Sequence, residues 1–189
     1  MSGISTALKS KEEFLKVAKL LEQLPSNNMY CIWIMQWETA LRISDTLSLK
    51  YSDFKDGYLT VKQQKTDNVL RIKITDTMQK MIAMRKQEQG GEGASEYLFC
   101  PMTTKAKGLP VTRNTVYVAF NKYGRRAGFL NVGTHTPRKS KGRVLFESGV
   151  KLEHIAHHLG HSDISSTMHY IGLTTDGNDL LTKEFSLGL

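Results

Sequence analysis

The sequence predicts one mainly α-helical domain of the α+β kind, carrying a small antiparallel β-hairpin. Apolar residues recur at helical spacing over most of the chain, and the runs begin and end at recognisable cap and stop signals. The period changes to alternation only between about residues 58 and 74. The 189 residues hold no internal repeat, low-complexity tract or Pro/Gly/Ser-rich linker. The expected organisation is therefore a single domain, residues 1–189, with no separate N-terminal domain.

The elements follow in order. Ser10-Lys11-Glu12-Glu13 forms a capping box ahead of Phe14, Val17, Leu20 and Leu21, which marks a first amphipathic helix. Asn27 or Asn28 opens a second helix through Tyr30, Ile32, Ile34, Met35 and Trp37. It is apolar nearly all round, as a central buried helix must be. A short helix near Ser44 to Leu49 follows. Tyr58–Val61 and Val69–Ile74 read as strands, with Lys65-Thr66-Asp67-Asn68 turning between them and Arg71 and Lys73 on the polar face.

Helices are then expected from about Asp76 to Gln89, stopped by Gly90-Gly91, and from about Thr112 to Arg126, after a loop holding Pro101 and Pro110. Another starts at Thr136-Pro137, with Thr as cap and Pro at the first helical position, and stops at Gly149. A further helix covers about Lys151 to Leu159 and stops at Gly160. Short helices are expected around Tyr170 and from Asp179 to Phe185.

Charge narrows the partner. Lys and Arg outnumber Asp and Glu by 26 to 18, giving +8 and a pI near 9.5, which favours a polyanion such as nucleic acid. Cys31 and Cys100 lie far apart among apolar residues and match no metal spacing, so buried free thiols in a reducing compartment are expected. The first residues lack the basic head and apolar run of a secretory signal, and the apolar stretch around Met29 to Trp37 is too short and interrupted to span a membrane. A cytoplasmic, nucleoid-associated location is the expectation.

The chemistry concentrates in His135-Thr-Pro-Arg138, then Leu159-Gly160-His161, then Tyr170. Phosphoryl transfer needs a nucleophile, cations around the non-bridging oxygens and a proton donor for the leaving oxygen. Arg suits the second task because its planar fork stays charged and grips two oxygens. Arg138 also falls in the first turn of its helix, where free backbone amides favour an anion. Taken alone, Tyr170 is a half-buried packing residue, and Arg42 is a solvated cation at a helix end.

His-x-x-Arg, Leu-Gly-His and a Tyr nine residues later resemble the C-terminal signature of the tyrosine recombinases. That family includes phage and transposon integrases and the short fimbrial-switch invertases. Ala40-Leu41-Arg42-Ile43-Ser44-Asp45-Thr46-Leu47-Ser48-Leu49 is similar to the family's first-arginine box, and Lys65 stands where the family carries its catalytic lysine. The resemblance runs from about residue 10 to 175. The box has Ala40 where Gly is usual and Asp45 where Glu is usual, and Pro137 replaces a common leucine.

The resemblance implies roles. Tyr170 would attack a DNA phosphate and hold it as a 3′-phosphotyrosine. Arg42 and Arg138 would clamp the non-bridging oxygens, with a hydrogen bond from His161. Lys65 would protonate the leaving 5′-oxygen, with Lys62, Lys73 and Lys105 as alternatives for that role. His135 would position the phosphate or accept the tyrosine proton, and Asp45 would support the site from behind. Neither ATP nor a metal nor another cofactor is needed. Implied partners are double-stranded DNA, a homotetramer on that DNA and accessory DNA-bending proteins, with the apolar segment Asp179–Leu189 docking on a neighbour.

Arg71, Arg113, Lys139 and Lys141 are further candidate DNA contacts, and Lys105, Lys107, Lys122, Arg125 and Arg126 belong to the same basic set. His154, His157 and His158 share one helix face at spacings that suit zinc. No Cys joins them and no carboxylate completes a zinc-hydrolase spacing, so a polar helix face is the better reading. Met78, Met81 and Met84 read as core filler. Two alternatives keep the same residues: a type IB topoisomerase, and a non-catalytic DNA-binding factor on the recombinase fold.

Overall fold

A computed structural model describes residues 5–65, 67–90, 95–101 and 108–173. Helix α1 (Lys11–Glu22) starts where Ser10 Oγ accepts from the Glu13 amide at 3.2 Å. Only half of the expected capping box forms, because Glu13 reaches back to the Lys9 amide at 2.7 Å, one residue beyond the cap. Helix α2 (Asn28–Thr39) buries Cys31, Ile32, Trp33 and Met35 completely and packs on its neighbours from several sides, as its all-round apolar sequence requires. Helix α3 (Ile43–Leu47) is shorter than expected.

The sheet has three antiparallel strands in the order β1 (Phe54–Lys55), β2 (Tyr58–Lys62), β3 (Val69–Lys73). The two-residue β1 carries no periodicity and was not foreseen. In β2 and β3 the expected alternation appears: Leu59 and Val61 are buried, while Thr60, Lys62, Val69, Arg71 and Lys73 are exposed. Helices α4 (Asp76–Glu88) and α5 (Arg113–Arg126) are each opened by a threonine hydroxyl, Thr75 and Thr112, accepting from an amide three residues on.

Helix α6 (Thr136–Glu147) starts one residue earlier than expected. His135 occupies the cap position, and the Thr136 hydroxyl instead accepts from the Gly133 amide at 2.9 Å. Helices α7 (Leu152–Leu159) and α8 (Ile164–Tyr170) complete the described fold. The helix expected over 179–185, the docking segment to Leu189, and Lys105 and Lys107 lie outside the described residues.

Packing explains why α1, α2 and α5 hold together. Phe14 stacks on Trp33 with ring centroids 4.9 Å apart, and Trp33 meets Phe120 edge-on at 4.8 Å. The Trp33 indole N–H donates to the Phe14 carbonyl. Buried Cys31 and Cys100 are free thiols, and burial pushes Cys31 up to about 12. A smaller apolar cluster of Ala40, Ile155, Leu159 and Ile171 joins α7 and the end of α8 to the α2–α3 junction. That second cluster lies directly under the candidate site. No helix among the described residues is long and apolar enough to cross a membrane.

Candidate active site

One cavity of about 680 Å³ is lined by Arg42, Lys65, His135, Arg138, His161 and Tyr170, every catalytic candidate named from the sequence. They arrive on separate segments. Arg42 caps α3, Lys65 sits in the β2–β3 turn, His135 and Arg138 open α6, His161 follows α7, and Tyr170 ends α8.

Two left-handed residues bring the arginines together. Gly160 ends α7 at φ +61°, and Ala40 ends α2 at φ +53°. Arg138, 2% exposed, donates from its two terminal nitrogens to the carbonyls of Ala40 and Leu159. Arg42 donates to the next carbonyl, Gly160, at 3.5 Å. Successive carbonyls of one turn thus hold both guanidinium groups, which gives Leu159 and Gly160 a joint role in the site. Nη1 of Arg42 is buried and has no hydrogen-bond partner among the described residues. An anion in the cavity would satisfy it.

Around Tyr170 two imidazoles meet two cations, with Arg138 5.7 Å and Lys139 5.1 Å from the ring centre. Its hydroxyl is 3.4 Å from His135 Nδ1, and its ring meets the His161 ring edge-on at 4.8 Å. Burial holds His135 down to about 4, with Arg113, Arg138, Lys139 and Arg42 adding to the effect. His161 is likewise held down to about 4 by burial and then by Arg138, Arg42 and Lys65, with Asp163 opposing. Burial raises Tyr170 above the usual phenol range, while Arg138 and Arg42 favour its phenolate. The site therefore sets the Tyr170 hydroxyl within reach of an uncharged imidazole.

Asp45 is fully buried and ties the lysine turn to α3: its Oδ1 accepts from the Gln64 amide at 3.0 Å, next to Lys65. Its charge also supports the buried Arg138. Lys65 itself is exposed at the cavity wall.

The weaker DNA candidates separate. Arg113, the first residue of α5, acts electrostatically on His135. Lys139 lies 5.1 Å over the Tyr170 ring and donates to the Ser5 carbonyl at 2.9 Å. Arg71 stacks 3.8 Å over Tyr58 on the outer sheet face, and Lys141 lies over Trp37. Of the histidine stripe, only His157 lines the cavity.

Three positioning residues escaped sequence reading. Buried Gln36 donates from one amide nitrogen to the carbonyls of Leu41 and Thr134, the residues just before Arg42 and His135. Gly142 lets α6 approach Ile171 so closely that a β-carbon there would sit 2.7 Å from it. Thr167 contacts His161. A polar residue inside an apolar run was the one available signal for Gln36; Gly142 and Thr167 gave none.

Residues 10–176 match the model of the phage integrase family. The chain belongs to the phage integrase family. Among relatives of this integrase-family chain, the probable integrase/recombinase YoeC of Bacillus subtilis is 28% identical over 173 residues, spanning 90% of this chain and 92% of that protein. The tyrosine recombinase XerA of Pyrococcus furiosus is 30% identical over 163 residues, 84% of this chain but only 56% of XerA. The integrase-family fold is shared with crystal structures. A XerA recombinase superposes with a TM-score of 0.73 at 18% identity, over 98% of this chain and 66% of that one. A lambda integrase dimer bound to a COC′ core site gives 0.69 at 22%, over 92% and 50%.

Proposed function

We propose that this chain is a site-specific DNA recombinase that cuts and rejoins DNA through Tyr170. The observation that carries the reading is the convergence on one cavity of buried Arg138, half-buried Arg42 with its unpartnered Nη1, and a tyrosine hydroxyl beside a neutral histidine. Membership of a family of integrases and tyrosine recombinases supports it.

In this reading a DNA phosphodiester enters between Arg42 and Arg138, which neutralise its non-bridging oxygens as charge builds in the transition state. The Tyr170 oxygen attacks phosphorus, its proton passing to His135, and a new O–P bond replaces the bond to the 5′-oxygen. Lys65 gives that oxygen its proton. Attack by a different 5′-hydroxyl on the phosphotyrosine reverses each transfer and joins the new strand. Bond energy is conserved in the covalent intermediate, so no nucleotide hydrolysis is called for.

Arg113 and Lys139, nearest the cavity, are assigned to the flanking DNA backbone, with Arg71 and Lys141 further out. A tetramer on DNA is proposed by analogy with lambda integrase, which has been crystallised as a tetramer bound to a Holliday junction.

The test is covalent trapping. Wild type and Tyr170→Phe are mixed with nicked duplexes drawn from DNA flanking the gene and resolved on denaturing gels. A retarded protein–DNA band in wild type alone is expected. Equal strand exchange by Tyr170→Phe would overturn the assignment, and binding of the same duplexes without any trapped band would point to a non-catalytic DNA-binding factor.

A further inference from the structure

The contact between His161 and Thr167 decides where the imidazole proton sits. Nδ1 of His161 is 3.0 Å from Oγ1 of Thr167, and the same hydroxyl is 3.1 Å from the backbone carbonyl of Asp163. The carbonyl can only accept, and a threonine hydroxyl has a single proton to give. If that proton went to His161, two acceptor oxygens would face each other around a side chain that is fully buried. Both contacts are hydrogen bonds in one arrangement only: Thr167 donates to Asp163, and His161 donates from Nδ1 to Thr167. The neutral ring then has no proton on Nε2, the nitrogen left for a ligand in the cavity.

We infer that Thr167 is a positioning residue that locks His161 in its Nδ1–H tautomer, so that His161 can donate to a phosphate oxygen only as the doubly protonated imidazolium. The tautomer rests on the geometry above; the phosphate rests on the recombinase reading of the cavity. Four charged groups face the ring from the surrounding elements: Arg138 on α6, Arg42 at the start of α3, Lys65 in the hairpin turn and Asp163 before α8. Tyr170 covers one face. Burial first, and then three positive charges among the four, disfavour the imidazolium in the free site. A phosphodiester adds negative charge among them and reverses that preference. DNA binding is therefore coupled to uptake of one proton from solvent onto Nε2, released again when the DNA leaves. Because Thr167 lies one turn before Tyr170 on α8, the helix that presents the nucleophile also sets the proton on its neighbour.

The first measurement is a long-range ¹H–¹⁵N correlation spectrum of the free protein with labelled histidine at pH 7.5, with His161 assigned by comparison with His161→Asn. Wild type and Thr167→Ser should show Nδ1–H, and Thr167→Val, of similar shape but without the acceptor, should move toward Nε2–H. A wild-type Nε2–H signal would overturn the inference, even if Thr167→Val failed to fold. The second measurement is single-turnover trapping between pH 5.5 and 9. Wild-type and Thr167→Ser cleavage should fall about tenfold per pH unit above the pKa that His161 has in the complex. Thr167→Val should start roughly tenfold slower at low pH and lose that limb, because an Nε2–H ring donates without titrating. Identical profiles for wild type and Thr167→Val would sink the coupling. Absence of trapping by every form, beside a clear Nδ1–H signal, would overturn the phosphate half together with the recombinase reading and leave the tautomer standing.

Discussion

The Tyr170 hydroxyl lies 3.4 Å from Nδ1 of a His135 held down to about 4, chiefly by burial, so at neutral pH the imidazole beside the hydroxyl is uncharged. The same depression has a consequence for stability. His135 and His161 bind fewer protons in the folded chain than in the unfolded one between about 4 and their ordinary 6.5. Unfolding takes up protons in that window, so stability is at its full value above 6.5 and declines as pH falls toward 4. The melting temperature of the DNA-free protein should drop by on the order of 10 °C between pH 7 and 4.5 from this source. His135→Asn and His161→Asn should each flatten the profile, and unchanged slopes in both variants would contradict the assignment.

Arg138→Lys should fail despite keeping the charge. The guanidinium spans the carbonyls of Ala40 and Leu159 at once, which a single ammonium cannot do. We expect a loss of about 2–4 kcal/mol in urea unfolding, from one orphaned buried carbonyl and a more strongly hydrated buried cation. Trapped product should fall at least about a hundredfold.

Asp45→Ala removes the acceptor of the Gln64 amide and a charge that supports Arg138. A cost of about 2–3 kcal/mol follows from the stranded donor and the less compensated cation. Hydrogen exchange should report the local effect, with the Gln64 amide losing protection while β2 amides keep theirs. Retained protection at Gln64 would show that Asp45 does not anchor the lysine turn.

Gly142→Ala tests the approach of α6 to the end of α8. The added methyl would meet Ile171 at 2.7 Å and Leu159 at 3.2 Å. Overpacking should cost about 1–3 kcal/mol. Ile171 follows Tyr170 directly, so cleavage should suffer more than DNA affinity in trapping and gel-shift assays run side by side.

Much of this was legible beforehand for stated physical reasons. The start of α1 was readable from the Ser10 cap, because capping is local chemistry, and the starts of α4 and α5 were placed to within a residue, although the capping by Thr75 and Thr112 appears only in the structure. The start of α6 was misread by one residue because His135 and Thr136 both suit an entrance, and tertiary contacts of the Thr136 hydroxyl decide between them. The candidate residues were recognisable by type and spacing, but what holds them was not. The carbonyls of Ala40, Leu159 and Gly160 do that work, and a carbonyl has the same identity in every residue. Ala40 shows the limit well. Nothing in its identity signals a special backbone, and only the fold reveals its left-handed conformation, which costs a non-glycine residue on the order of 1 kcal/mol.

The carbonyls of Leu159 and Gly160 that hold Arg138 and Arg42 make the cavity a product of the completed fold. The first arginine box and the Leu-Gly-His turn are more than a hundred residues apart, so neither cation is seated until both ends of the chain have packed. An incompletely folded copy therefore lacks the paired guanidinium groups that line the cavity.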